Sequence, residues 1–170
     1  MKAPVLTDGV VVLRVLDVSD AGAWKAGEDA EQIRWFEAPG PAPLENIIAA
    51  INNWRAEWER NGARRHFGIW TGNRLCGGIE LRVRHDGRAN LSYLVFPEAR
   101  RNGVARRSLQ LATRWAFDHL AVPTVVAIID EDNVASVAVA TACGFTLEGV
   151  AEAWEHSESG VMLRYVLPAG

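Results

Sequence analysis

Between Leu91 and Ile129 the chain carries two apolar runs separated by a stretch of helical periodicity, and this arrangement restricts the fold more than any other feature. The first run, Leu91 to Phe96, combines aliphatic and aromatic residues and stops at Pro97, so it reads as a strand. Leu109, Ala112, Ala116 and Leu120 then mark one side of a helix that begins near Val104, with Trp115 and Phe117 widening its apolar surface, and Pro123 ends that element. Thr124 to Ile129 is almost wholly apolar, as expected for a central strand covered on both faces. Strand, helix and strand in succession imply a parallel pair.

Between the first strand and the helix lies Arg100-Arg101-Asn102-Gly103-Val104-Ala105. Gly103 allows close backbone approach, and the free amides that open a helix attract anions. Two arginines beside those amides suit a pyrophosphate, because the guanidinium groups add fixed positive charge to the N–H donors. A basic turn that merely caps a helix would look the same. No Walker phosphate loop and no Gly-x-Gly-x-x-Gly dinucleotide fingerprint exists in the chain.

The N-terminal third opens with an apolar strand from Val10 to Leu16, followed by helix-start chemistry at Asp17 to Asp20 with Ser19 as the expected cap. A helix is expected from Asp20 to about Ala26, and a second helical turn from Glu31 to Phe36, before the Pro39-Gly40-Pro41-Ala42-Pro43 break. Leu44, Ile47, Ile48, Ile51, Trp54 and Trp58 then recur at helical spacing up to Asn61-Gly62, a stripe read as core. The middle third reads as an antiparallel meander of His66 to Trp70, Leu75 to Val83 and Ala89 to Phe96, turning at Gly72-Asn73 and Asp86-Gly87. A helix from Asn133 to Cys143 ends at Gly144, and strands Thr146 to Ala151 and Val161 to Leu167 close the chain.

At 170 residues the chain suffices for one domain, expected to span residues 1–170. A formal charge of −3 supplies no global basic field for nucleic acid, so the arginines must act locally. Cys76 and Cys143 sit in apolar surroundings without metal spacing, which reads as two core thiols and no metal site. Without an N-terminal apolar segment or any long apolar run, a cytoplasmic location without membrane contact is expected.

The basic loop joins a second signature, Asn133-Val-Ala-Ser136 followed by Gly144-Phe145. Together they resemble the GCN5-related N-acetyltransferase (GNAT) superfamily, whose coenzyme A loop has Arg or Gln, then Gly three residues on, then Gly or Ala two further, as at Arg100, Gly103 and Ala105. The Asn-x-x-Ser and Gly-Phe pattern is most similar to the RimJ/RimL-like branch, and the resemblance covers roughly residues 8 to 167. It implies an α/β fold with a mixed, mostly antiparallel central sheet of six or seven strands, helices on both faces and a splayed central strand pair. Acetyl-CoA or another acyl-CoA is the implied cosubstrate. Leu94, Val95 and Phe96 would meet pantetheine by main chain, Arg100, Arg101, Asn102, Gly103, Val104 and Ala105 would hold pyrophosphate, and Asn133 would bond pantetheine or simply cap its helix.

The same resemblance implies direct acyl transfer to a primary amine in a ternary complex, with a small-molecule or peptide amine as acceptor and a monomer or homodimer as the assembly. Ser136 matches the serine that protonates the departing thiolate and also borders the coenzyme; its alternative role is a helix-interior hydroxyl bonded to a carbonyl. The tyrosine that many members place seven residues after the asparagine is Ala140 here, and their usual glutamate position is Asn90. Glu80 is the nearest acidic substitute, because strand alternation aims it away from Ile79 and Leu81; its alternative role is a strand residue that faces solvent. Trp35, Phe36 and Glu37 are the acceptor-side candidates, and the acidic stretch Glu152, Glu155, His156 and Glu158 borders that site in the family. Two other readings remain, a non-catalytic acyl-CoA-binding module and a nucleic-acid binder using Arg100, Arg101, Arg106 and Arg107, the second opposed by the acidic total.

Overall fold

The computed structural model describes residues 3–170. Its strands are β1 (Leu6–Thr7), β2 (Val12–Arg14), β3 (Arg64–Thr71), β4 (Arg74–Val83), β5 (Ala89–Val95), β6 (Thr124–Asp130), β7 (Thr146–Val150) and β8 (Met162–Pro168). Its helices are α1 (Ala21–Gly27), α2 (Ala30–Trp35), α3 (Leu44–Glu59), α4 (Val104–Leu120) and α5 (Val134–Ala142). The strands form one sheet in the order β1-β2-β3-β4-β5-β6-β8-β7. Eight strands replace the six or seven expected, because a further strand precedes the one read at Val10 to Leu16: Asp8 accepts hydrogen bonds from the Val10 and Val11 amides, and this turn folds Leu6–Thr7 back on β2. A two-residue strand leaves no alternation to read.

The first helix also starts differently from the sequence expectation. Asp17, rather than Ser19, is the cap, and it caps a 3-10 turn at Val18–Asp20 that runs into α1. Its carboxylate accepts from the Ser19 amide while Asp20 accepts from the Asp17 amide, so two orphan donors are satisfied reciprocally, and α1 itself has no side-chain cap. The helix at 133–143 is shorter than expected by a residue at each end, because Asn133 serves as its cap and Gly144 turns out of it at φ 88°.

Every neighbouring pair in the sheet is antiparallel except β5 and β6, which run parallel as the strand, helix, strand order requires. That pair bonds only at Ala89 with Val125 and Asn90 with Val126, and then the strands part. The gap opens toward their carboxyl ends, the side from which the α4 loop emerges.

Strand alternation divides the side chains between two layers. Phe67, Ile79, Leu81 and Leu91 are buried beneath α4, where Trp58, Phe67 and Trp115 form an edge-on aromatic cluster with centroids 5.0 to 5.6 Å apart. Such contacts contribute about 0.5–1.5 kcal/mol each beyond the area they bury. On the opposite face, His66, Glu80 and Ser92 lie side by side across β3, β4 and β5. Glycines at the next cross-strand pair, Gly68 and Gly78, make room for the segment after β2 and for α1: a Cβ on Gly68 would lie 2.8 Å from Leu16, and one on Gly78 would lie 2.6 Å from Trp24.

Candidate active site

The basic loop leaves β5 through a short 3-10 turn at Pro97–Ala99 and enters α4 with Arg101 and Gly103 both left-handed, at φ 60° and 72°. No side chain caps α4. Its first-turn amides, which cannot bond within the helix, therefore remain available to a ligand. A Cβ built on Gly103 meets no atom within 4 Å, so the loop is open on that side. Open space, uncapped amides and the exposed Arg101 beside them fit the pyrophosphate of a coenzyme.

Arg100 behaves differently from the sequence expectation. Its guanidinium donates to the Val95 carbonyl at 2.9 Å, to Asp29 at 2.8 and 3.0 Å and to Glu31 at 2.5 Å. All three of its nitrogens are thus engaged within the protein. The side chain fixes the loop to the start of α2, and any pyrophosphate contact at this position falls to its main chain. Val104 is buried and Ala105 half-buried, so they too offer main chain.

Across the gap, the Asn133 side chain accepts from the Ser136 amide at 3.1 Å, which is the capping role. The Tyr93 hydroxyl donates to Ser136 Oγ at 3.2 Å. Burial pushes the Tyr93 pKa up, holding it as a neutral donor, while the bond to Ser136 opposes that shift. Sequence reading excluded a tyrosine on α5 and did not consider one on β5. The available signal was a tyrosine at an inward position of a buried strand, which must find a polar partner.

On the other face a cavity of about 170 Å³ is lined by Trp24, Phe36, Trp54, His66, Gly78, Glu80, Ser92, Tyr93 and Leu94. Glu80 lies on its wall, with burial raising its pKa and Arg64 and Arg82 partly offsetting that rise. Its Oε1 is 4.0 Å from Arg64 Nε. His66 is 6% exposed and stacks flat on Trp54 with centroids 3.6 Å apart. Burial pushes its pKa down to about 3, so the imidazole is neutral at physiological pH. Asn90 lies one step along β5 from Ser92, and its buried Oδ1 has no partner among the described residues.

Of the three acceptor-side candidates, only Phe36 lines this cavity. Trp35 instead holds Glu31 through its indole N–H at 3.4 Å and lies under Arg34. Glu37 accepts from the Ser159 amide at 2.9 Å and hydroxyl at 2.6 Å, tying the end of α2 to the β7–β8 loop. Trp24, Trp54, His66 and Ser92 were missed because helical or strand periodicity assigns such residues to the core. In the acidic stretch, Glu155 is fully buried against Arg84 at 2.8 Å and against Arg164, so it braces the loop and is not free to hold an amine. Cys76 is buried, and Cys143 is half-buried with its thiol pKa raised by burial. Among the described residues no group of His, Cys, Asp or Glu is arranged to hold a metal, and no helix is long and apolar enough to cross a membrane.

A parallel strand pair that parts beside an uncapped helix start defines the acetyltransferase class of fold. Residues 11–146 match the family model described as the acetyltransferase (GNAT) domain, and the chain belongs to that family. It is 26% identical over 151 residues to the uncharacterized N-acetyltransferase YoaA of Bacillus subtilis strain 168, covering 86% of this chain and 85% of that protein. The fold is shared with RimL, a ribosomal L7/L12 alpha-N-protein acetyltransferase, at a TM-score of 0.84 and 19% identity over 98% of this chain and 95% of that one. It is shared equally with Mycobacterium smegmatis RimJ in complex with CoA-disulfide, at a TM-score of 0.83 and 23% identity over 98% and 87%.

Proposed function

We propose that the protein is an acetyl-CoA-dependent N-acyltransferase that acts on a primary amine by direct attack in a ternary complex. The observation that carries this reading is the alignment of three features on one gap: the loop amides at one end, the Tyr93–Ser136 hydroxyl pair on one side and the Glu80 cavity on the other. When bound, the cosubstrate supplies an acyl group activated as a thioester. Arg101, Asn102 and Gly103 bind its pyrophosphate, with main-chain help from Arg100, Val104 and Ala105. Of the main chain expected to hold its pantetheine arm at Leu94, Val95 and Phe96, the Val95 amide is the group left for that role. The Phe96 amide already donates to the Cys76 carbonyl, the Val95 carbonyl already accepts from Arg100, and the Leu94 carbonyl faces Gly77. Asn133 has an N–H₂ group left over from capping to join the Val95 amide.

An amine arrives as an ammonium and must lose a proton before it can attack. Glu80 takes that proton, and its raised pKa makes it a better base than a solvated carboxylate. As the C–S bond breaks, Ser136 gives a proton to the departing thiolate and takes one from Tyr93. The proton that Glu80 received passes across the shared cavity to return Tyr93 to the phenol, while the second amine proton leaves to solvent. No nucleophile of the protein is needed. The reading is tested by incubating the protein with acetyl-CoA and an amine panel while free thiol and acetylated amine are measured together. Both products should appear in equal amounts. Coenzyme binding without turnover of any acceptor would favour a non-catalytic acyl-CoA-binding module instead.

A further inference from the structure

The cavity on the α1–α3 side has a composition that speaks to its ligand. Five of its nine lining residues, Trp24, Phe36, Trp54, His66 and Tyr93, carry aromatic rings, and Glu80 is its sole charged wall. Trp24 and Trp54 lie 5.3 Å apart and tilted at 54°, and the stacked His66 extends the surface of Trp54. His66 is deeply buried, its Nδ1 has no partner among the described residues, and the neutral ring adds no positive charge to the cavity. Stacked flat on Trp54, the ring adds its own surface to the aromatic wall. Gly78 keeps the floor open, since an added Cβ would stand 2.6 Å from Trp24 and 3.0 Å from His66.

We propose that this cavity selects, as acceptor, a small monoamine whose body is a single apolar or aromatic group, in preference to a polyamine or a peptide N-terminus. The proposal rests on the acyl-transfer reading above and names the substrate class of that site. Size is consistent with it: the recess is open on one side and offers about 170 Å³, room for one ring of the kind a closed cavity of roughly 150 Å³ accommodates. Charge supports it equally. One carboxylate matches one ammonium, aromatic faces favour a cation beside an apolar body, and Arg64 and Arg82 next to Glu80 oppose a second positive centre. A peptide would need carbonyl and amide partners along an extended groove, whereas these walls carry no side-chain amide and offer only hydroxyl, imidazole and indole groups besides Glu80.

The test compares phenethylamine, spermidine and an alanine tripeptide at fixed saturating acetyl-CoA by thiol release, with calorimetric titration of each amine into the coenzyme A complex. Phenethylamine should exceed both others in kcat/KM by about tenfold or more, the worth of one good aromatic contact. Equal or better turnover of spermidine or the tripeptide would overturn the proposal while leaving acyl transfer intact. Absence of turnover with every amine would sink the catalytic reading, and calorimetry would then decide the cavity alone: phenethylamine bound more tightly than the others supports it, and equal or no binding overturns it. Phe36→Ala removes a half-exposed wall, so the protein should fold; it should raise KM for phenethylamine about tenfold without changing acetyl-CoA affinity. Gly78→Ala should act in the same direction by narrowing the floor, and an unchanged KM in a folded variant of either kind would count against the assignment.

Discussion

The two faces of the sheet meet at the gap between β5 and β6, yet they are built from different kinds of group. On the α4 and α5 side the surface proposed to take the coenzyme is largely main chain: amides at the head of one helix, a left-handed glycine and the edge of β5 beyond its pairing with β6. On the α1 and α3 side it is largely side chain, drawn from α1, the α2–α3 connection, α3, β3, β4 and β5. The first kind of surface suits a ligand that never changes. The second can be re-lined residue by residue, which is how one fold accepts different amines.

The largest effect expected from testing this contrast is on the side-chain face. Replacing Glu80 with Gln keeps the shape and removes the base, and kcat should fall by about 10³-fold, within the range for losing a general base. Because burial raises the Glu80 pKa, the wild-type rate should decline with acid as pH passes down through a value above the ordinary carboxylate range, where the protonated carboxyl can no longer accept a proton. That acid limb should vanish in Glu80→Gln. An unchanged limb with an unchanged kcat would remove Glu80 from the reaction.

A smaller effect is expected where the two faces touch. Ser136→Ala should lower turnover by about 10²-fold with coenzyme affinity nearly unchanged. Tyr93→Phe should act in the same direction and, if the hydroxyls form one relay, the double variant should be little worse than Ser136→Ala alone. Additive losses would show that each hydroxyl works separately. Turnover kept within a few-fold in both would mean that solvent protonates the thiolate, a tolerable leaving group with a pKa of about 8.5.

The smallest expected effect lies on the main-chain face. Gly103→Val should weaken coenzyme A binding by about tenfold, the equivalent of roughly 1.4 kcal/mol, measured by calorimetry. Since φ here is 72°, valine also strains the loop by about 1–2 kcal/mol. Gly103→Asn separates the two causes, because asparagine tolerates that backbone angle while still filling the open space beside it. Full affinity in both folded variants would contradict the pyrophosphate assignment.

The contrast between the faces also explains what could be read from residue order. Strand, helix and strand from Leu91 to Ile129 required a parallel pair, and Gly103 between a strand and a helical stripe marked the turn into α4 now proposed to hold the pyrophosphate, because both features depend on neighbours in sequence. Alternation likewise turned Glu80 away from Ile79 and Leu81, and the structure has it on the cavity wall. Only the tertiary structure drew Arg100 out of the loop to Asp29 and Glu31, seventy residues away, and locked Glu155 between Arg84 and Arg164. Only packing could bring Trp24, Trp54 and His66 together, since their periodicity is that of any buried stripe. Local order fixes backbone conformation and the faces of each element; which side chains share a cavity depends on how those elements cross, and that is decided by long-range contacts no single segment contains.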